Sequence, residues 1–355
     1  MKKSISQLKP YVPEEPLDEL KKRLQLKRVV RLSANENPYG TSPRIATMLQ
    51  TTAFESNRYP DGAAAQLRDA VSDFYDVNPA QLVFGCGLDE IISLLNRTFL
   101  TDGDEVLVNV PTFSEYMINA EIEEAVPVEV PTKDDGQIDF AALLAAITDK
   151  TKMIWLCNPN NPTGTYETKA DIKRFVREVP ADVLVIVDEA YLEYVTDEAN
   201  PSVLDLPGQQ DNVIVLKTFS KVYGLANFRV GFGIFPLRLA SYIQSVRPPY
   251  NLNSISQTAA LTGLRDQDFV TATVAKTVAE REKWEAFFRQ NGIQFYHSQT
   301  NFLFFTVPEA DRVSDFLLQN GFLIRNGLRP GWLRLTIGEP ADNLRIQQLL
   351  LQYLN

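Results

Sequence analysis

The stretch Thr218-Phe219-Ser220-Lys221-Val222-Tyr223-Gly224-Leu225-Ala226-Asn227-Phe228-Arg229 lies between two short apolar runs, 213–216 and 230–234. Both runs have the length and β-branched content of buried strands. The turn between them carries hydroxyls, one lysine and, eight positions later, one arginine. A lysine set between buried strands is expected to be desolvated, and burial lowers an ammonium pKa. A neutral lysine can form a Schiff base with a carbonyl. Thr218, Ser220 and Arg229 are side chains of the kind that surround a phosphate. Taken alone, the stretch reads more readily as a surface turn with a solvated lysine and arginine, because a Ser-Lys pair is common.

Working outward, the flanking chain has a regular α/β rhythm. Apolar runs at 81–86, 105–110, 126–130, 153–157 and 183–187 alternate with helical patterns at 88–99, 113–120, 140–146 and 169–178. Such runs predict a mostly parallel sheet covered by helices on both faces. Toward the N-terminus stand an arm with Pro10, Pro13 and Pro16, a charged helix over 17–26, a strand over 29–32 and a helix over 64–74. Beyond 234 comes a helix over 237–246, broken at Arg247-Pro248-Pro249. One long helix is expected over 254–291, followed by strand 302–307, helix 312–319, strands 322–325 and 332–337, and a final helix to 353. The expected fold is α/β: a large domain at 31–250, a smaller α+β domain at 251–355, and an arm at 1–30 packing on the smaller one.

Composition narrows the function. The chain has 355 residues, 45% hydrophobic and 23% charged, as suits a globular protein of two domains. Lys+Arg number 35 against Asp+Glu 45, a net charge of −10, which argues against a nucleic-acid or anionic-membrane partner. No apolar run approaches the roughly 20 residues of a membrane span. The two cysteines, Cys86 and Cys157, sit in apolar runs and are expected to be reduced core residues. The first residues lack a secretory apolar segment, so the expected compartment is the cytoplasm. His297 is the only histidine, which excludes a histidine-based zinc site and argues against Ser-His-Asp chemistry; no metal is expected. With so few histidines and cysteines, difficult chemistry would then come from a cofactor.

Ligands of open α/β sheets sit beyond the carboxyl ends of the strands, and three loops there stand out. Gly85-Cys86-Gly87-Leu88-Asp89-Glu90 joins a strand to a helix. Its glycines let the backbone come close to a ligand and the free N–H groups of the helix start suit a phosphate, though a tight turn with an acidic N-cap would explain the same residues. Cys157-Asn158-Pro159-Asn160-Asn161-Pro162-Thr163-Gly164 offers amide donors on a loop shaped by two prolines. Asp188, at the end of an apolar strand in Val187-Asp188-Glu189-Ala190-Tyr191, would pair with a buried cation or cap the next segment. Together these features match the needs of pyridoxal phosphate, whose ring draws electrons from a substrate α-carbon.

These motifs resemble the fold-type-I pyridoxal-phosphate aminotransferases, and within them the branch acting on histidinol phosphate. The resemblance runs through Lys9-Pro10-Tyr11-Val12-Pro13, Ser33-Ala34-Asn35-Glu36-Asn37-Pro38, Tyr59-Pro60, Asn160-Asn161-Pro162-Thr163-Gly164, Ser220-Lys221 and Leu333-Arg334-Leu335-Thr336-Ile337-Gly338. It implies that Lys221 is the Schiff-base lysine and proton carrier, and that Asp188 partners the pyridine nitrogen. Asn161 and Tyr191 would donate to the ring oxygen. Arg229, Thr218, Ser220, Gly87, Leu88 and Asp89 would form the phosphate cradle. Phe113, where relatives often have tyrosine, would stack on the ring. Tyr59 would reach the neighbouring subunit's cofactor, which implies a homodimer with its site at the interface. Arg334, Arg325, Asn35 and Tyr39 would meet the substrate. Asn227 replaces a usual glycine, and its tolerance of positive φ would preserve the turn. The implied reaction is amino transfer between L-histidinol phosphate and 2-oxoglutarate in histidine biosynthesis. Aromatic amino-acid transamination and threonine-phosphate decarboxylation are the alternatives.

Overall fold

Continuous apolar runs such as Leu184–Asp188 and Val213–Thr218 can be satisfied only where both faces of a sheet are covered, and here they lie at its centre. The structure, a computed structural model, describes residues 2, 4–6, 8, 10 and 12–354. Lys9 and Tyr11 of the N-terminal motif lie outside the described residues. In chain order the strands are β1 (Val30–Leu32), β2 (Leu82–Cys86), β3 (Glu105–Val110), β4 (Val126–Pro131), β5 (Thr151–Cys157), β6 (Leu184–Asp188), β7 (Val213–Thr218), β8 (Val230–Ile234), β9 (Phe302–Thr306), β10 (Phe322–Ile324) and β11 (Trp332–Thr336). Seven of them form one sheet in the order β2-β8-β7-β6-β5-β3-β4. All run in one direction except β8, which is antiparallel to both of its neighbours. The order reverses at β3, with β4 on one side and β5 on the other. A reversal of this kind opens a crevice at the strands' carboxyl ends. Two apolar cores cover the faces. One includes Trp155, Phe232 and Ile91, and the other includes Leu156, Phe175 and Val187.

The C-terminal part has its own apolar cluster, including Trp284, Phe288, Phe305, Leu317 and Leu349. Its strands form two pairs, β9 antiparallel to β11 and β1 parallel to β10. Thus a strand near the start of the chain is hydrogen-bonded to one near its end.

Three local expectations are corrected. The helix expected over 254–291 is two helices, Ser254–Leu264 and Gln267–Gln290. Asp266 stands at the break in a non-helical conformation, its buried carboxylate taken up by the Ser42 hydroxyl, with Arg44 at 3.5 Å. A helix at Pro43–Thr51 was not anticipated, although Ser42-Pro43 is a plain start signal: Ser42 Oγ accepts from Arg44 N and Pro43 sits at the first position. Cys86 is exposed at the end of β2, and only Cys157 is a core residue.

Candidate active site

The crevice holds a cavity of about 440 Å³. Of the residues singled out in the sequence, Leu88, Asp89, Phe113, Asn161, Asp188, Tyr191, Thr218, Ser220, Lys221, Arg229, Asn35, Arg325 and Arg334 all line it. Gly87 lies just beneath. It has φ +73°, and a Cβ there would stand 2.3 Å from Arg229 Nη2, so only glycine lets the guanidinium cross the turn.

One end of the cavity is built to hold an anion. The helix Gly87–Phe99 starts there and presents its free N–H groups. The turn after β7 brings Thr218 and Ser220 to the same place, with Ser220 N donating to Thr218 Oγ1 at 3.0 Å. Arg229 reaches it from the start of β8, with Nη1 on Ala226 O at 3.1 Å and Nη2 on Asp89 Oδ2 at 3.0 Å. The left-handed non-glycine residue of this turn is Arg229 itself, at φ +53°. Asn227, expected to take a positive φ, lies in a 3-10 turn, Ala226–Phe228, outside that region.

The other end carries the acid–base groups. Asp188 closes β6 and is 3% exposed. Tyr116 Oη donates to its Oδ2 at 2.7 Å and Ala190 N to its Oδ1 at 3.0 Å. Burial outweighs these bonds and pushes the carboxyl up to about 6. A buried carboxylate this poorly compensated suits a cationic ring N–H. Tyr116 was not foreseen in this role. It lies one helical turn beyond Phe113, stacks on Trp155 at 4.4 Å and meets Phe113 edge-on at 5.6 Å. Tyr191 accepts a hydrogen bond at 3.0 Å from Asn35 Nδ2. Asn35 is tied in turn to the C-terminal part: its N–H meets Thr336 Oγ1 at 3.0 Å, and its carbonyl accepts from Asn301 Nδ2 at 3.1 Å.

Lys221 departs from the expectation of burial. It is half-buried at the cavity, with Nζ 3.4 Å from Ala34 O and 5.4 Å from the Tyr191 ring centre. The buried lysine is Lys217, four residues earlier in β7. Its ammonium meets Glu193 at 2.9 Å and Glu189 at 3.4 Å. Burial opposes its charge, and the two carboxylates outweigh burial, so its pKa is raised. A lone cation in an otherwise apolar strand was the available signal, since a buried charge needs partners. The Lys221 turn is braced from below: Asn37 Nδ2 donates to Val222 O at 2.9 Å. Gly224, at φ +68°, passes so close that a Cβ would stand 2.0 Å from Gly40 O.

Arg334 in β11 is 8% exposed. Its Nη1 donates to Asn161 Oδ1 at 2.6 Å and its Nη2 to the Ser33 carbonyl, while Nε is buried without a partner. No carboxylate pairs with it among the described residues. Burial, with Arg325 adding repulsion, lowers its pKa to about 10. A buried guanidinium in this state is prepared for an incoming anion. It also sets the Asn161 amide: the oxygen faces Arg334, so the NH₂ remains as a donor. Arg325 is exposed at the mouth. Two expected residues are elsewhere. Tyr39 does not line the cavity; its hydroxyl is buried without a partner, and burial pushes its pKa up to about 12. Tyr59 is 81% exposed and stacks on Tyr250 at 4.7 Å.

The chain belongs to the aminotransferase class I and II family, whose profile matches residues 27–348. Among its relatives is a histidinol-phosphate aminotransferase of Lactiplantibacillus plantarum, 50% identical over 354 residues, with 99% of each chain covered. Another, of Limosilactobacillus fermentum, is 50% identical over 357 residues, covering 100% of this chain and 99% of that one. Among solved structures it is similar to a histidinol-phosphate aminotransferase from Sinorhizobium meliloti in complex with pyridoxal-5'-phosphate. The TM-score is 0.91 at 25% identity, covering 100% of this chain and 97% of that one.

Proposed function

We propose that this chain transfers an amino group between L-histidinol phosphate and 2-oxoglutarate, giving imidazole acetol phosphate and glutamate, with pyridoxal 5'-phosphate as cofactor. The observation that carries the reading is the buried Arg334 without a carboxylate partner, facing the Asp188 and Lys221 side of the same cavity. Whole-length relatives bearing that activity in their names favour it over the aromatic and decarboxylase alternatives.

The residues fit the cofactor. Asp188 would hold the ring nitrogen protonated, with Tyr116 and Ala190 N fixing the carboxylate. Asn161 and Tyr191 would serve the ring hydroxyl, and Phe113 would cover the ring face. Thr218, Ser220, Arg229 and the helix N-terminus would hold the phosphate. When bound, the cofactor supplies the electron sink for the substrate α-carbon. Lys221, half-buried at the cavity, would carry the proton removed from that carbon. Arg334 would take the substrate phosphate or the glutamate α-carboxylate, and Arg325 the second anion. Planar guanidinium groups serve both anions.

The reading extends to assembly. Exposed Tyr59, stacked on Tyr250, would sit on a homodimer interface and reach the partner's cofactor phosphate. Residues 31–250 would form the cofactor domain, 251–355 the smaller domain and 1–30 the arm. Cytoplasmic location accords with such a biosynthetic enzyme, and no helix among the described residues is long and apolar enough to cross a membrane.

The test is a rate comparison on cofactor-loaded protein with 2-oxoglutarate as acceptor. Histidinol phosphate is expected to outpace phenylalanine, and threonine phosphate to release no carbon dioxide. Equal or faster turnover of phenylalanine overturns the substrate assignment.

A further inference from the structure

Among the described residues, only three side chains beyond Arg229 line the cavity: Arg325, Leu328 and Arg334. One hairpin carries all of them. Arg325 and Arg334 exchange backbone hydrogen bonds of 3.0 and 2.8 Å, so the two arginines stand side by side where the hairpin's loop begins and ends. Leu328 lies in the loop between. That loop is held firmly. Arg329 Nη1 donates to Tyr296 Oη at 2.6 Å, and its guanidinium lies 5.0 Å from the Trp332 ring centre. Thr306 Oγ1 donates to Gly331 O at 2.6 Å. Half-buried Leu328 packs beside the Tyr296, Phe304 and Trp332 cluster and also reaches the cavity. The hairpin therefore presents two cations and one apolar group.

The proposed reaction, on which this inference rests, asks that wall to accept two different molecules in turn. Histidinol phosphate brings an imidazole ring and a phosphate. Glutamate brings two carboxylates and no ring. The arginines can serve the anions of both, so they discriminate weakly between them. Leucine gains nothing from an anion, but it gains from covering ring carbons. We infer that Leu328 is a specificity residue that favours the ring-bearing donor over glutamate. A spacer for the arginines would behave differently, because its loss would weaken both substrates alike.

The two half-reactions separate these cases. Holoenzyme is mixed with histidinol phosphate alone or with glutamate alone, and the change in cofactor absorbance is followed over a range of substrate concentrations. Leu328→Ala is expected to raise KM for histidinol phosphate roughly tenfold, the scale set by lost apolar contact in a pocket. KM for glutamate should stay within about twofold. Leu328→Gln, of similar length but polar, should shift the same constant in the same direction. Leu328→Met, apolar and of similar volume, should leave both unchanged. If Leu328→Ala fails to fold, the Gln and Met variants decide the matter. Equal rises for both substrates, a rise for glutamate alone, or no rise for either overturns the inference. Wild-type protein that takes glutamate but not histidinol phosphate refutes the proposed function itself, and the role of Leu328 falls with it.

Discussion

Asp188→Asn should make the cofactor-free protein more stable while removing most of its activity. Burial raises the carboxyl's pKa from an ordinary 3.8 to about 6. At 1.36 kcal/mol per unit, holding it ionised at pH 8 costs about 3 kcal/mol. The sign follows from the direction of the shift. A carboxyl whose pKa is raised in the folded state favours folding when protonated. Its cost is absent below pH 3.8 and is fully developed once the pH has risen past 6. Asparagine carries no charge, so the variant escapes this cost. It keeps the bond from Ala190 N and weakens the one from Tyr116, which returns about 1 kcal/mol. The net gain expected at pH 8 is therefore about 2 kcal/mol. The measurement is urea unfolding of cofactor-free wild type and variant at pH 8 and pH 5. The variant's advantage should shrink by about half the ionisation cost at pH 5. On loading the cofactor the order should reverse, because the variant offers no anion to a protonated ring nitrogen. A cofactor-free Asp188→Asn protein less stable than wild type at pH 8 would refute the claim that this carboxylate is held in deficit.

Lys221→Ala should abolish turnover and the visible absorbance of covalently held cofactor; retention of full activity removes the lysine from its proposed role. Arg334→Ala should raise KM for glutamate by about 10- to 100-fold, the scale of a lost charged hydrogen bond, as steady-state kinetics would register. Lys217→Met leaves the buried Glu189 and the half-buried Glu193 without their cation, so unfolding should become easier by about 3 kcal/mol in urea titrations. An unchanged midpoint would mean that the carboxylates protonate at no cost. Tyr59→Ala should speed cofactor loss on dilution without altering the circular dichroism of the chain, and a cofactor off-rate equal to wild type argues against an interface role.

The central sheet was legible because its strands are buried on both faces and therefore read as unbroken apolar runs between helical segments. Where one local signal had to be weighed against another, the reading was less secure. The helical pattern across 254–291 conceals a break, because Asp266 answers to Ser42 and Arg44, residues more than two hundred positions away. The cavity's residue types were legible as motifs, yet their burial was not. Lys221 and Lys217 are both lysines beside apolar runs. Only the distant carboxylates of Glu189 and Glu193 decide which of them goes inside. Tyr39 shares a loop with Asn35, but of the two it is Asn35 that reaches the cavity, held there by its bonds to Thr336 and Asn301. Leu328 and Tyr116 lacked any motif of their own, and their importance arises from what the fold sets beside them.

The bonds of Asn35 also bear on how the chain is made. All strands of the seven-stranded sheet have been made once Ile234 is added, and with them Asp188, Lys221 and Arg229. Asn35 must wait for Thr336, a partner 301 residues later in the chain. A ribosome stalled before residue 325 thus displays a finished scaffold with both hairpin arginines missing. Asn161 then has no guanidinium to orient its amide, and Tyr191 meets an asparagine that nothing anchors from behind. Translation accordingly delivers the proposed cofactor-holding elements early and the proposed substrate-reading elements last.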